Sequence, residues 1–142
     1  MTQLEFIAFL QEGTLRGIAL GTPRRQVIEV FGEPQDTSVN RKRPFDKYSN
    51  IQVFYDEDCQ LCGVAIYFDR DMDDIKSIPP PLPPPIKNES IVEDYLRSMG
   101  FTFKIVTILT FETQITWEIP SGVTIIFDRQ KMRLDTMQLF SK

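Results

Sequence analysis

The side chains in this sequence that could do chemistry are carboxylates, thiols and arginines, because the 142-residue chain contains no histidine. That absence removes Ser-His and Cys-His nucleophiles, a histidine general base and any histidine-containing metal site. Cys59-Gln-Leu-Cys62 has the spacing of half a zinc site or of a redox pair. It has no second pair to complete it, and Cys59 reads as a hairpin-turn residue, so two free thiols are expected. Asp69-Arg-Asp-Met-Asp-Asp74 alternates aspartates like the opening of a calcium loop. However, Asp74 and Pro80 stand where an EF-hand needs its glycine and its closing glutamate, so an acidic surface loop is expected. Asp46, Asp56 or Asp128, with Tyr48 or Arg129, offer acid and base groups for a small cleft, although no spacing relates them. Arg24 and Arg25, at the start of a helix, offer an anion site, but without a glycine-rich cradle. No stretch marks out a catalyst, a metal or a cofactor, and the chain reads as non-enzymatic.

The elements that must position these residues are organised around Ile18 to Pro34. Thr22 reads as an N-cap and Pro23 as the first helical residue. Val27, Val30 and Phe31 share one helix face. Gly32 suits a left-handed C-terminal turn, and Pro34 prevents the helix from resuming.

Upstream, Thr2-Gln-Leu-Glu5 is a capping box. It opens a helix in which Leu4, Ile7 and Ala8 repeat at helical spacing, broadened by Phe6, Phe9 and Leu10 and ended by Gly13. Leu15 to Leu20 reads as an extended link. Gln35 to Tyr48 reads as a polar loop, with a short strand near Thr37–Val39 and a solvated basic cluster at Arg41-Lys-Arg43.

Ile51–Tyr55 and Leu61–Phe68 read as the two strands of a hairpin joined by Asp56-Glu-Asp-Cys-Gln60. Pro79 to Pro85 must be polyproline II, a stiff spacer or an SH3-type ligand in poor register. Ser90-Ile-Val-Glu93 is a second capping box, opening a helix with Val92, Tyr95, Leu96 and Met99 on one face. Four strand-like runs follow: Phe101–Leu109, Thr113–Ile119, Val123–Asp128 and Leu134–Phe140. Their alternation predicts antiparallel sheet, with Trp117 as a packing residue.

The chain is long enough for one compact domain. Its hydrophobic content of 42% and aromatic content of 11% are those of a globular protein. A net charge of −4 and a pI near 4.9 argue against a nucleic-acid binder that works by neutralising phosphates. The apolar runs are too short to span a bilayer, and no export signal is apparent, so a cytoplasmic protein is expected. The acidity is local: residues 1–78 hold nine basic and thirteen acidic side chains, whereas the remainder balances at seven and seven.

Ser49-Asn-Ile-Gln-Val-Phe-Tyr-Asp aligns onto Ser121-Gly-Val-Thr-Ile-Ile-Phe-Asp at an offset of 72, which, carried on, sets Phe68 against Phe140. This predicts two related halves, 1–78 and 88–142, around a 79–87 linker. The run Leu20-Gly-Thr-Pro-Arg-Arg-Gln-Val…Phe31-Gly-Glu-Pro34, with Ile51-Gln-Val-Phe-Tyr-Asp and Gly63-Val-Ala-Ile-Tyr-Phe68, resembles the small α+β domain of the BamE/SmpA family. It is also similar to small bacterial proteins that resemble toxin-immunity proteins. A tandem of such units resembles the β-lactamase inhibitor protein. The chain has no lipobox and no pair of disulfides, so the membrane-assembly and secreted-inhibitor roles do not carry over.

The expectation is therefore an α+β fold, an antiparallel sheet with short helices on one face in two related halves. The resemblance implies a non-catalytic module that binds protein. An immunity-type inhibitor would seat a basic partner, such as a toxin, on Asp56, Glu57, Asp58, Asp69, Asp71, Asp73 and Asp74. The alternatives are a small ligand-binding or enzymatic domain, and a scaffold bound through the proline run.

Overall fold

Strands that alternate apolar and polar residues can share one core face if their registers agree, and here they do. The structure, a computed structural model, describes residues 3–38, 43–68, 89–107, 112–131 and 133–141. Among these are helices α1 (Gln3–Glu12), α2 (Arg24–Phe31) and α3 (Glu89–Ser98). The strands are β1 (Asp36–Ser38), β2 (Phe45–Tyr48), β3 (Ile51–Tyr55), β4 (Leu61–Tyr67), β5 (Lys104–Ile105), β6 (Gln114–Glu118), β7 (Thr124–Asp128) and β8 (Arg133–Phe140). They form one eight-stranded antiparallel sheet in the order β1-β2-β3-β4-β8-β7-β6-β5. The fold is thus α+β. Two four-stranded meanders meet where β4 pairs with β8, from Gly63↔Phe140 to Tyr67↔Thr136.

The register lines up a row of buried side chains across the joint: Trp117, Ile125, Met137, Ile66 and Ile51. Phe6, Phe9 and Leu10 of α1, Val27 of α2 and Leu96 of α3 belong to the same core. Each such side chain, fully buried, contributes roughly 1.5–3 kcal/mol. In α1 the deepest residues are therefore Phe6, Phe9 and Leu10, while Ile7 and Ala8 are only half-buried. Val30 of α2 is 44% exposed rather than part of the core stripe.

The helix ends differ from expectation in instructive ways. Thr22 does not cap α2. Its hydroxyl donates to the Ala19 carbonyl at 2.7 Å, and Pro23, extended at ψ 143°, precedes the first helical residue. Glu5 pairs with Arg16 at 3.3 Å. Helix α3 begins at Glu89, one residue before the Ser90 expected to cap it. It ends as expected at Gly100: φ is +80° there, the Gly100 N–H bonds to Arg97 O, and the Phe101 N–H bonds to Leu96 O. Leu15–Leu20 is not extended. Leu15 and Ile18 exchange both backbone hydrogen bonds around Arg16 and Gly17, each at positive φ, a tight two-residue turn.

Strand β2 occupies Phe45–Tyr48, where a loop was expected, and β5 is confined to Lys104–Ile105 within the longer run predicted from Phe101. Both central hairpins skip one residue. Phe54↔Gly63 is followed by Tyr55↔Leu61, and Ile126↔Thr136 by Phe127↔Leu134, leaving Cys62 and Asp135 as the extra residues. The two bulges fall at matching places if β3 maps onto β7 with the 72-residue offset and Leu61–Tyr67 maps onto Leu134–Phe140. In that alignment Tyr67, not Phe68, meets Phe140. The proline run lies outside the described residues.

Candidate functional site

Among the described residues Asp46 is the most deeply buried ionisable side chain of the sheet, 1% exposed. It sits on β2 opposite Val53, on the core face, because Phe45 and Lys47 take the other face. Arg24, the first residue of α2, reaches it with a two-pronged grip: Nε donates to Oδ2 at 2.9 Å and Nη2 to Oδ1 at 3.0 Å. Thr37 of β1 adds its hydroxyl to Oδ1 at 2.9 Å. A carboxylate with three such donors can be buried at little net cost. Hydrogen bonding to Asp46 raises the Arg24 pKa above its ordinary value.

Tyr55 lies alongside, with the Arg24 guanidinium 5.9 Å from its ring centroid. Its hydroxyl is buried beside the Asp46 carboxylate, close enough to interact with it but without a well-formed hydrogen bond. Burial, then the Asp46 charge, push its pKa far above the usual phenol value. Tyr48, on the same face, donates to Gly32 O at 2.9 Å. Burial first and Asp46 second raise its pKa as well. This cluster ties α2 to the sheet edge. Its acid and base are spent on each other, so it has the chemistry of a structural latch rather than of a proton-transfer site.

The other carboxylates named for a cleft are dispersed. Asp56 and Asp128 occupy matching positions at the ends of β3 and β7, and each closes its own turn. Asp56 Oδ1 accepts from the Asp58 and Gln60 amides, and Asp128 Oδ1 from the Gln130 and Lys131 amides. Arg129 pairs with Glu89 of α3. The helix start at Arg24–Arg25 is likewise not an open anion site, because the Arg24 amide donates to Cys59 O at 2.9 Å and its guanidinium is committed to Asp46. The sequence missed Asp46 as a buried group because an aspartate between Phe45 and Lys47 carries no inward signal. Of the residues offered for a cleft, Asp46 and Tyr48 come together on one face of β2, whereas Asp56, Asp128 and Arg129 are engaged elsewhere.

Of the residues expected to bind a partner, Asp56, Glu57 and Asp58 form the tip of the β3–β4 hairpin, all exposed. Asp69, Asp71, Asp73 and Asp74 lie outside the described residues. The tip is braced. Leu61 N–H bonds to Thr22 O, Gly21 N–H to Leu61 O, and Pro23 bridges to Gln60. Cys59 is held at φ +58°. Neither Glu57 nor Asp58 takes part in an ion pair among the described residues.

The two thiols are free. Cys59 is in the turn, and Gln60 to Cys62 run along the strand. Three nearly extended residues place the Cα atoms about 9–10 Å apart, beyond the ~7 Å limit for a disulfide. Among the described residues there is no group of three or more potential metal ligands.

The opposite face of the same hairpin carries an aromatic group. Phe54 stands between Phe45, at 5.9 Å, and Phe140, at 5.3 Å between ring centroids. The Arg43 guanidinium lies over Phe140 at 5.4 Å and over Phe54 at 5.9 Å. Gly63 makes room for this packing: a Cβ there would lie 2.2 Å from the Phe140 ring.

Two shallow cavities lie at the end of the molecule where α1 and α3 finish. One, about 230 Å³, is lined by Leu10, Gln11, Met99–Thr102, Pro120 and Ser121. Its neighbour, about 410 Å³, lies between Thr102–Lys104 and Glu118–Gly122. Lys104 and Glu118 pair across the second at 3.3 Å.

Comparison with family models, with curated proteins and with solved structures finds no match. No helix among the described residues is long and apolar enough to cross a membrane.

Proposed function

We propose that the chain is a non-catalytic protein-binding module, an immunity-type inhibitor that seats a basic partner, such as a toxin, against the acidic end of its sheet. The observation that carries this reading is the construction of the β3–β4 tip. Asp56 gives its carboxylate to the turn, and the 21–24 segment holds the far side. Glu57 and Asp58 are left exposed on a rigid support. A preorganised acidic knob loses little conformational freedom on binding and steers a cationic surface toward it. The closed Asp46–Arg24 cluster favours this reading over a catalytic one, since its groups face each other and not a cavity.

The matched bulges and the matched Asp56 and Asp128 turns favour an origin by internal duplication, in which one tip became acidic while its counterpart carries Arg129 and Lys131.

The test is capture of partners by the tagged chain from lysate of its source cells, repeated at high salt and with the variant Glu57→Gln/Asp58→Asn. One stoichiometric protein is expected, released by salt and bound about tenfold or more weakly by the variant. No stoichiometric partner, or one indifferent to both changes, overturns the proposal.

A further inference from the structure

Arginines laid over aromatic rings recur in this structure. Arg16 lies over Phe31 at 4.9 Å from the ring centroid, Arg24 over Tyr55 at 5.9 Å and Arg97 over Phe103 at 5.1 Å. A carboxylate of the chain completes each of these. Glu5 meets Arg16 at 3.3 Å, Asp46 meets Arg24 at 2.9 Å and Glu93 meets Arg97 at 3.9 Å. Arg43 lies over two rings, Phe140 at 5.4 Å and Phe54 at 5.9 Å. Yet it has no carboxylate: among the described residues it makes no ion pair and no hydrogen bond.

The support under Arg43 is built for it. Gly63 lacks the Cβ that would strike the Phe140 ring, so this ring can lie close against β4. Phe54 is held between Phe45 and Phe140. Arg43 is itself exposed. A guanidinium stacked on rings keeps its N–H edge available, and with its freedom already reduced it takes a second partner at lower entropic cost. The neighbouring acidic tip does not supply that partner from Asp56, whose Oδ1 is taken by the Asp58 and Gln60 amides. The two sites are adjacent, since one thiol feels both: burial raises the Cys62 pKa first, Asp56 raises it further and Arg43 lowers it.

We propose that Arg43, on its Phe54–Phe140 platform, seats a carboxylate of the bound partner. The assignment deepens the inhibitor reading and rests on it for the source of that carboxylate. Two parallel N–H groups of the guanidinium match the two oxygens of one planar carboxylate. A phosphate fits the same fork, but the field of Asp56, Glu57 and Asp58 opposes a dianion more strongly than a single charge. The partner surface is therefore of mixed sign, with cationic side chains against Glu57 and Asp58 and an aspartate or glutamate against Arg43. Opposite charges side by side fix the register of docking and disfavour a uniformly basic surface.

The probe is acetate, exchanged for chloride at constant ionic strength on the isotope-labelled full chain and followed at the arginine Nε–H resonances. Two arginines serve as controls: Arg25, which is exposed and has no ring contact among the described residues, and Arg24, whose carboxylate is in place. Arg43 is expected to shift about threefold or more further than either, as for a preorganised, charge-assisted pair. Phe54→Leu, which removes one ring and keeps the charge, is expected to bring the Arg43 response down toward that of Arg25. Equal shifts at Arg43 and Arg25, an unaltered response in Phe54→Leu, or displacement of acetate by inorganic phosphate at equal concentration overturns the assignment. On a captured partner, Arg43→Gln is expected to weaken binding about tenfold, and Arg43→Lys, which keeps the charge without the fork, to restore little of it. A partner lost with Glu57→Gln/Asp58→Asn that binds Arg43→Gln undiminished leaves the inhibitor reading standing and removes the carboxylate seat.

Discussion

Arg24 and Asp46 meet through two parallel hydrogen bonds, 2.9 and 3.0 Å long, across the boundary between the first turn of α2 and the core face of β2. The arginine is 38% exposed and the aspartate 1%, so the pair is half wet and its two members are not equivalent.

Truncating Arg24 removes two of the three well-formed donors and leaves the buried carboxylate to the Thr37 hydroxyl and its neighbour Tyr55. Truncating Asp46 leaves an arginine that can turn to water. Arg24→Ala is expected to destabilise by about 2–4 kcal/mol and Asp46→Ala by less, and the double variant should cost little more than Arg24→Ala alone. Denaturant unfolding of the three variants measures this; additive losses would show that the pair is uncoupled.

Tyr48 and Tyr55 hold their protons more tightly in the fold than an ordinary phenol does, through burial first and the Asp46 charge second. As pH rises past about 10, the unfolded chain releases these protons before the folded one does. Stability contributed below that point is then lost progressively as pH climbs toward the folded values. Tyr55→Phe should flatten the alkaline fall in unfolding free energy while leaving neutral stability within about 1 kcal/mol, since the lost hydroxyl makes no well-formed hydrogen bond. An unchanged alkaline slope would assign the fall to other groups.

Gly63→Ala sets a methyl into the Phe140 ring. A loss of about 1–3 kcal/mol is expected, as for overpacking. It should be largely relieved when Phe140→Leu is added, because the clash is with that one ring. Thermal unfolding with near-ultraviolet dichroism of the aromatic cluster reads both effects.

Cys59 is exposed at the hairpin tip, whereas burial, with a smaller effect of Asp56, raises the Cys62 thiol pKa. Alkylation at neutral pH should therefore modify Cys59 first, and mild oxidant should give no Cys59–Cys62 disulfide. Peptide mapping after timed alkylation decides the order.

Much of the fold could be read from period-two alternation. Ile51, Val53 and Tyr55, and Ile115 and Trp117, face the core at every second position, as the alternation predicts, and the glycines at 13, 32 and 100 end helices as their conformational freedom suggests. What could not be read came from contacts between distant segments. Thr22 has the chemistry of a cap, but the bridge from Pro23 to Gln60 starts the helix later and leaves its hydroxyl to Ala19. β2 was hidden because its inward residue, Asp46, is charged, and only Arg24 and Thr37, brought in from elsewhere, make that burial tolerable. The acidic tip was visible in composition, but its bracing by residues 21–24 was not.

The joint between β4 and β8 also governs how the chain can fold. Within each meander, neighbouring strands are close in sequence and pair over short loops. Gly63 and Phe140, or Tyr67 and Thr136, are about seventy residues apart along the chain. Closing that distance is the slow, entropically expensive event. The two meanders should therefore gain structure early and independently, and cooperative unfolding of the whole sheet should depend on this one seam. Weakening it would separate a single folding transition into two.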